Sequence, residues 1–323
     1  MRGSVKPHML EQEQALRDLR KELGDAVRPA VPLSTLTTLR IGGPADYFFE
    51  AKTVDAYCEA FTVGRQLGLP IFTLAGGSNL LVNDHGFRGL VIKNVCARVV
   101  VNETLIDAEA GVDLIDLCEI AYAHGLSGLE PLTGIRGSLG GAIYGNAGAF
   151  GRSISELIDS VELLSRLSGR RVVAPDYFEF VYRSSRLTHT DDVVVACRLK
   201  LVSGDRPSIR RQMNEILDLR RSKHPTVEPT AGSFFKNIKT PDAVTPAGRL
   251  LEQVGAKQMR EGDAAVYHKH ANIPINLGSA TARQMLRLTR QMKARVKAQF
   301  DIALQEEVRY LGETGLTPYD ALS

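Results

Sequence analysis

The sequence predicts an α+β protein of three successive regions, and three observations predict it. Short candidate strands are interrupted by single helical stretches rather than by long apolar runs. Three glycine-bearing turns each follow a candidate strand: RIGGP at Arg40–Pro44, LAGGSN at Leu74–Asn79 and GIRGSLGGAIYGNAGAFG at Gly134–Gly151. The pattern changes beyond Val99, and Pro225 and Pro229 mark a connection into a further region.

In chain order, Leu16, Leu19 and Leu23 sit at helical spacing and the pattern ends at Gly24. Two prolines in VRPAVP then break it, so residues 1–33 read as a lead-in helix and linker. Residues 34–98 read as a compact unit. It has an extended segment from Ser34 to Gly42, a strand around Tyr47–Phe49, and a helix opened by Thr53 that turns Val54, Cys58 and Phe61 to one side and closes at Gly68. A strand at Ile71–Leu74, the apolar LLV, a turn at Asn83–Gly86 and a strand at Leu90–Ile92 complete it. Residues 99–205 hold strands in VVV and TLIDAEA, a helix from Asp113 to His124, the long glycine-rich loop, and strands near Val161–Leu164, Arg171–Ala174 and Val193–Leu201. Residues 206–323 open with helical spacing over Pro207–Ser222 and continue through AGSFFKN, a helix from Pro246 to Val254 and VYHKHANIPINL. A long helix from Ala280 to Phe300 follows, with Met285, Leu288, Met292, Val296 and Phe300 on one face. Its Arg283, Arg287, Arg290, Lys293 and Lys297 read as a solvated face rather than a nucleic-acid surface, because no aromatic residues interleave them.

Forty basic and thirty-seven acidic residues leave a net charge of +3, which argues neither for nucleic acid nor for an anionic membrane as the main partner, and neither is expected as one. Cys58, Cys96, Cys118 and Cys197 are widely spaced in apolar stretches, as buried reduced thiols of a cytoplasmic protein would be. The first ten residues lack an apolar signal core, and nowhere do eighteen uncharged apolar residues run together.

Glycine at seven of the eighteen positions of Gly134–Gly151 exceeds what turns require. Without a Cβ the backbone can approach another group closely, and successive freed amides form a nest for an anion. A phosphorylated cofactor lying across all three turns is the reading adopted; turns with one tight packing contact are the alternative. The chain has neither a strict GxGxxG nor a GxxxxGK[ST], so the usual dinucleotide and P-loop devices do not hold that cofactor. His268 and His270 form an HxH pair on a presumed strand face, but with no third ligand at telling spacing no metal site is assigned.

Together these motifs, with GLEPLTGIRGSLGGAIYGNAGAFG, FVYRSSR, AGRLLEQVGA, HANIPIN and EEVRYLG in the same order, resemble the UDP-N-acetylenolpyruvoylglucosamine reductase family of bacterial cell-wall synthesis, over Leu36–Gly312. The short stretch after FVYRSSR is similar to that of the family's shorter, second type. The resemblance implies a FAD-binding part of two α+β subdomains of the PCMH or vanillyl-alcohol-oxidase type, followed by a substrate-binding domain. It implies non-covalent FAD, NADPH as hydride donor, and enolpyruvyl-UDP-N-acetylglucosamine as substrate. Cofactor contacts carried over are Arg40, Ile41, Gly42 and Gly43; Ala75, Gly76, Gly77, Ser78, Asn79 and Leu80; and Gly134, Gly137, Ser138, Gly141, Ala142, Asn146 and Gly148.

Arg183 carries over as the electrophilic arginine, Glu307 as its acidic partner and Ser233 as the proton donor, with Lys236, Asn237 and His270 near the substrate. Arg183 suits a carboxylate because its fork of N–H groups stays charged. Arg136 stands where proline is common in the family, which would set a positive charge beside the flavin pyrophosphate. A PCMH-type oxidase and a nucleotide-binding regulator remain as other readings at this stage.

Overall fold

The computed structural model describes residues 7–165, 169–239 and 244–322. Helix α1 (Pro7–Leu23) leads into β1 (Arg28–Pro32), β2 (Pro44–Ala51), α2 (Val54–Gln66), β3 (Ile71–Leu74), β4 (Leu80–Val82) and β5 (Phe87–Asn94). The first sheet has the order β1-β2-β5-β3, with β1 antiparallel to β2 and the other pairs parallel. Strand alternation divides its side chains between two cores. Leu90 and Ile92 of β5 face a cluster with Tyr57 and Phe61 of α2 and Leu19 of α1, while Val91 turns to Phe48, Leu74 and Phe87.

Two sequence expectations change here. The segment read as a proline-broken linker contains β1, which tolerates Pro29 and Pro32 because it is the sheet's edge and lacks a ladder to complete on its outer side. The segment read as extended from Ser34 holds a 3-10 turn at Leu33–Leu36, after which Arg40 takes a left-handed backbone with φ 54°.

The second unit comprises β6 (Val99–Asn102), β7 (Leu105–Glu109), α3 (Leu114–Ala123), β8 (Leu126–Ser127), α4 (Leu139–Tyr144), β9 (Gly148–Ala149), β10 (Arg152–Ser153), β11 (Ile158–Ser165), β12 (Gly169–Val173) and β13 (Val193–Lys200). Its antiparallel sheet has the order β12-β11-β13-β7-β6. Helix α4 was not foreseen, since its LGGAIY core is rich in helix-disfavouring glycine. Ser138 supplies the cap, its hydroxyl accepting the Gly141 amide at 3.3 Å.

After β14 (Val202–Ser203), α5 (Arg206–Lys223) packs Ile209 and Met213 into the core of this second unit. By packing, the helix read as opening the third region therefore belongs to the second. Two short strands, β15 (Ile238–Lys239) and β16 (Val244–Thr245), precede α6 (Ala247–Gln253), the three-stranded sheet β17 (Arg260–Glu261), β18 (Ala264–Val266) and β19 (Pro274–Asn276), and then α7 (Ala282–Phe300) and β20 (Arg309–Leu311). Met285, Leu288, Met292 and Val296 of α7 are buried in one core with Phe234, Leu251 and Tyr310.

Long-range contacts bind this third unit to the first. Strand β20 pairs in parallel with β4, Arg309 opposite Leu80. The Asp84 carboxylate accepts the amides of Ala282 at 2.7 Å and Arg283 at 3.0 Å, an anion at the positive end of α7. Among the described residues no helix is long and apolar enough to cross a membrane.

Candidate active site

Two of the three glycine turns meet back to back. A Cβ on Gly76 would stand 2.9 Å from the Gly137 Cα, and one on Gly137 would stand 2.9 Å from the Ser78 Oγ. Gly77 and Gly137 also hold φ of 62° and 139°, which side-chain-bearing residues avoid. Ala75 comes close to Gly141, whose Cβ would lie 3.5 Å from that of Ala75. Among the described residues, the amides of Gly76, Gly77, Ser78, Asn79, Gly137 and Ser138 meet no protein acceptor. Converging free donors on a tight backbone surface fit the diphosphate of a dinucleotide cofactor.

The third turn has a different place. A Cβ on Gly42 would strike the Val82 side chain at 2.7 Å, and one on Gly43 the Asp84 carbonyl at 2.2 Å, so these glycines serve contact with β4 and its following turn. Ile41 is buried in the third unit's core. This turn reaches the other two through Thr38, whose amide donates to the Gly77 carbonyl at 3.1 Å. Arg40 is exposed beside it. Leu80 and Ala142 are buried behind the cradle. Gly134 packs on Leu217 and Arg220 of α5, and Arg136 turns away to the Thr226 carbonyl at 3.5 Å.

Arg183 is the hub of the charged cluster. It sits in a tight hairpin closed by paired hydrogen bonds between Val181 and Ser184, with φ 56°. Three contacts hold that hairpin on the glycine-rich loop: Asn146 Nδ2 donates to the Val181 carbonyl at 2.9 Å, Ser185 Oγ to the Tyr144 carbonyl at 2.8 Å, and Arg183 Nη2 to the Gly148 carbonyl at 2.7 Å. Arg183 Nε stands 2.6 Å from Glu307 Oε1 in a close ion pair. The Asn146 Oδ1 is buried without a partner.

Glu307 is raised above the usual carboxylate range by burial, against the opposing pull of Arg183, Lys236 and Arg309. Lys236 is lowered by burial and by Arg309, with Arg183 adding to this and Glu307 resisting. Two hydrogen bonds join this cluster to the cradle: Asn79 Nδ2 donates to the Glu307 carbonyl at 3.1 Å, and the Arg309 amide donates to the Asn79 carbonyl at 3.1 Å. Ser233 is half-buried one residue before Phe234, whose carbonyl accepts the Glu307 amide at 2.7 Å.

Other candidates are engaged locally. Asn237 Oδ1 accepts the Ala247 amide at 3.1 Å, so its side chain is occupied at the start of α6. His268 and His270 do not share a strand face: they form a turn after β18, His268 exposed against Tyr267 and His270 half-buried with its Nδ1 accepting the Asn272 amide. His270 faces His224 at 5.6 Å between ring centroids, and burial with that neighbour lowers His224 to about 4. A cavity of about 530 Å³ lined by Asp84, His85, Arg283, Arg287, Arg290 and Tyr310 lies along α7, and none of the cradle or catalytic candidates lines it.

Sequence reasoning passed over two arginines. Arg309 is two residues from Glu307 as the chain enters β20, the spacing that puts neighbours on one side of an extended segment, and it reaches within 5.8 Å of the Tyr144 ring. Arg220, in the last turn of α5, is lowered by burial and by Arg183, and its Nε has no partner. Nothing in its local sequence distinguishes it from Arg221.

Comparison with known proteins identifies the family and the fold. Residues 45–174 match the FAD binding domain model, and residues 224–311 match the model for the UDP-N-acetylenolpyruvoylglucosamine reductase, C-terminal domain. A UDP-N-acetylenolpyruvoylglucosamine reductase of Solibacter usitatus is 38% identical over 304 residues, covering 89% of this chain and 97% of the relative. One from Moorella thermoacetica is 40% identical over 285 residues, covering 87% and 92%. The crystal structure of UDP-N-acetylenolpyruvylglucosamine reductase from Thermus caldophilus superposes with a TM-score of 0.75 at 33% identity, covering 88% of this chain and 99% of that one. The α+β architecture expected from the sequence, a PCMH-type FAD-binding part followed by a C-terminal domain, is thereby established.

Proposed function

The chain belongs to the UDP-N-acetylenolpyruvoylglucosamine reductase family, and from that premise we propose that NADPH supplies its hydride and that Arg183, Glu307 and Ser233 manage the charge and the proton. The reaction is the FAD-dependent reduction of the enolpyruvyl group of enolpyruvyl-UDP-N-acetylglucosamine, giving UDP-N-acetylmuramate for peptidoglycan synthesis. Bound FAD supplies hydride transfer. The observation that carries the rest is the hydrogen bond from Asn79 to the Glu307 carbonyl, which fixes the amide-lined cradle against the Arg183–Glu307 pair.

When C3 of the enolpyruvyl ether gains hydride, negative charge spreads onto the neighbouring carboxylate. Arg183, already aimed by the Gly148 carbonyl and Glu307, offers its remaining N–H groups to that carboxylate and stays charged throughout. Lys236 and Arg309 add positive potential in a half-buried setting where it is poorly screened. Glu307, kept closer to protonation by burial, holds Arg183 and tolerates the developing charge better than an ordinary carboxylate would. The Ser233 hydroxyl gives its proton to C2. The free amides of residues 76–79, 137 and 138 would hold the cofactor diphosphate, non-covalently. We place the protein in the cytoplasm, where the reaction's nucleotide-linked substrate and NADPH are expected.

Anaerobic half-reactions test this. In Ser233→Ala, flavin reduction by NADPH is expected to stay near wild type, while reoxidation by the enolpyruvyl substrate slows about 10²- to 10⁴-fold. Equal losses in both halves would remove Ser233 from the proton-donor role.

A further inference from the structure

The segment after β20 folds back across α7, and two of that helix's basic residues hold it. Arg290 Nη2 donates to the Leu322 carbonyl. Lys293 Nζ stands 3.0 Å from Glu306 and 3.9 Å from Asp320, so one cation joins the tail to the residue preceding Glu307. Tyr319, at the start of a 3-10 turn, sets its ring edge-on to Phe234 with centroids 5.8 Å apart and an interplanar angle of 77°, and tilts against Tyr310 at 6.1 Å. Its hydroxyl is buried without a hydrogen-bond partner. A buried unpaired hydroxyl is a cost, so what the site uses is the ring.

Phe234 is the piece that ring supports. It is 1% exposed, it follows Ser233 directly, and its carbonyl accepts the Glu307 amide at 2.7 Å while its amide donates to the Asn272 carbonyl at 2.8 Å. Phe234 thus sets how Ser233 stands relative to Glu307, and Tyr319 closes the far side of its ring. The matched C-terminal family model stops at Leu311, so this support comes from residues outside the match.

We propose that the tail acts as a strap and that Tyr319 is a positioning residue for the reduction, acting through Phe234 to keep Ser233 and Glu307 in register. The proposal rests on Ser233 and Glu307 working as described above. A support that slackens lets the proton donor drift without touching the cradle, so it should affect one half-reaction and spare the other.

The test uses the full chain loaded with FAD, reduced anaerobically by NADPH or by dithionite and reoxidised with the enolpyruvyl substrate, in Tyr319→Ala, Tyr319→Phe and Ser233→Ala. Tyr319→Ala is expected to slow reoxidation about tenfold to a hundredfold with NADPH reduction unchanged. Tyr319→Phe is expected to restore the wild-type rate, since the lost hydroxyl had no partner. Should Tyr319→Ala fail to yield folded flavoprotein, Tyr319→Leu is measured against the same expectation. Wild-type reoxidation in the Ala or Leu variant, equal losses in both halves, or a Phe variant as slow as Ala overturns the strap. If Ser233→Ala itself reoxidises normally, the reading of Ser233 is what fails; if it is slow while the Tyr319 variants are not, only the strap fails.

Discussion

The cradle and the charged cluster meet at Asn79 and are built on opposite principles. The cradle is backbone: Gly76 and Gly137 bring two turns into contact, Gly77 lies against Leu36 and Thr37, and amides are left free, with no charged side chain among them. The cluster is side chain: Arg183, Lys236, Glu307 and Arg309 come from three separate stretches of the chain, and their charges act on the protonation of Lys236 and Glu307. A backbone site is specified by what is missing, the Cβ, and tolerates little change. A side-chain site is specified by convergence, and its members can be altered singly while the fold persists.

The largest expected effects come from the cradle. Gly137→Val puts a branched side chain at φ 139° against Ser78, and is expected to yield protein without the yellow absorbance of bound FAD after purification. Gly42→Ala is the control: it meets Val82 rather than the cradle, so it should lower the melting temperature while any folded protein keeps its flavin. Flavin loss from the Gly42 variant equal to that from Gly137→Val would dissolve the distinction between the turns.

Next in size is Arg183→Lys. A single ammonium cannot engage both the Gly148 carbonyl and Glu307 while presenting further donors, so reoxidation by substrate should fall about 10²- to 10³-fold with FAD content unchanged.

Two smaller effects are pH-dependent. Glu307 is raised in the folded state, so its contribution to stability is full below the ordinary carboxylate value near 4.5 and is lost as pH rises through the folded value. Glu307→Gln should therefore gain in melting temperature relative to wild type as pH increases from 4 toward neutrality. His224 is lowered from 6.5 to about 4, so its contribution is present above pH 6.5 and is lost as pH falls through 4. His224→Gln should flatten the decline of melting temperature across that window; an unchanged decline would show that other groups govern it.

The same contrast explains what could be read from the sequence. Glycine density announced the cradle because few other demands concentrate glycine so strongly, and helix α2 declared itself through its Thr53 cap and α7 through apolar spacing. Strand β1 was hidden because its two prolines mimic a linker, and only its place at the sheet edge makes them acceptable. Arg183 and Ser233 were assigned through family motifs alone, since neither spacing nor composition brings YRSS and AGSF together. Arg220 stayed invisible because its burial depends on Gly134 and Leu217 meeting across the fold. The basic stripe of α7, read as a solvated face, is tied in part to acids and carbonyls: Arg287 to Glu261, Lys293 to Glu306 and Arg290 to Leu322.

The parallel pairing of β20 with β4 has a consequence for biosynthesis. Residues 80–82 lie early in the chain and their partner, Arg309–Leu311, lies near its end. During translation the first unit waits beside an open strand edge while most of the remaining polypeptide is made. The hydrogen bonds that Asn79 makes with Glu307 and Arg309 form only once that late segment has been made. A fragment ending before Glu306 lacks both partners of Asn79 and is expected to capture FAD less tightly than the full chain; equal capture would refute that dependence.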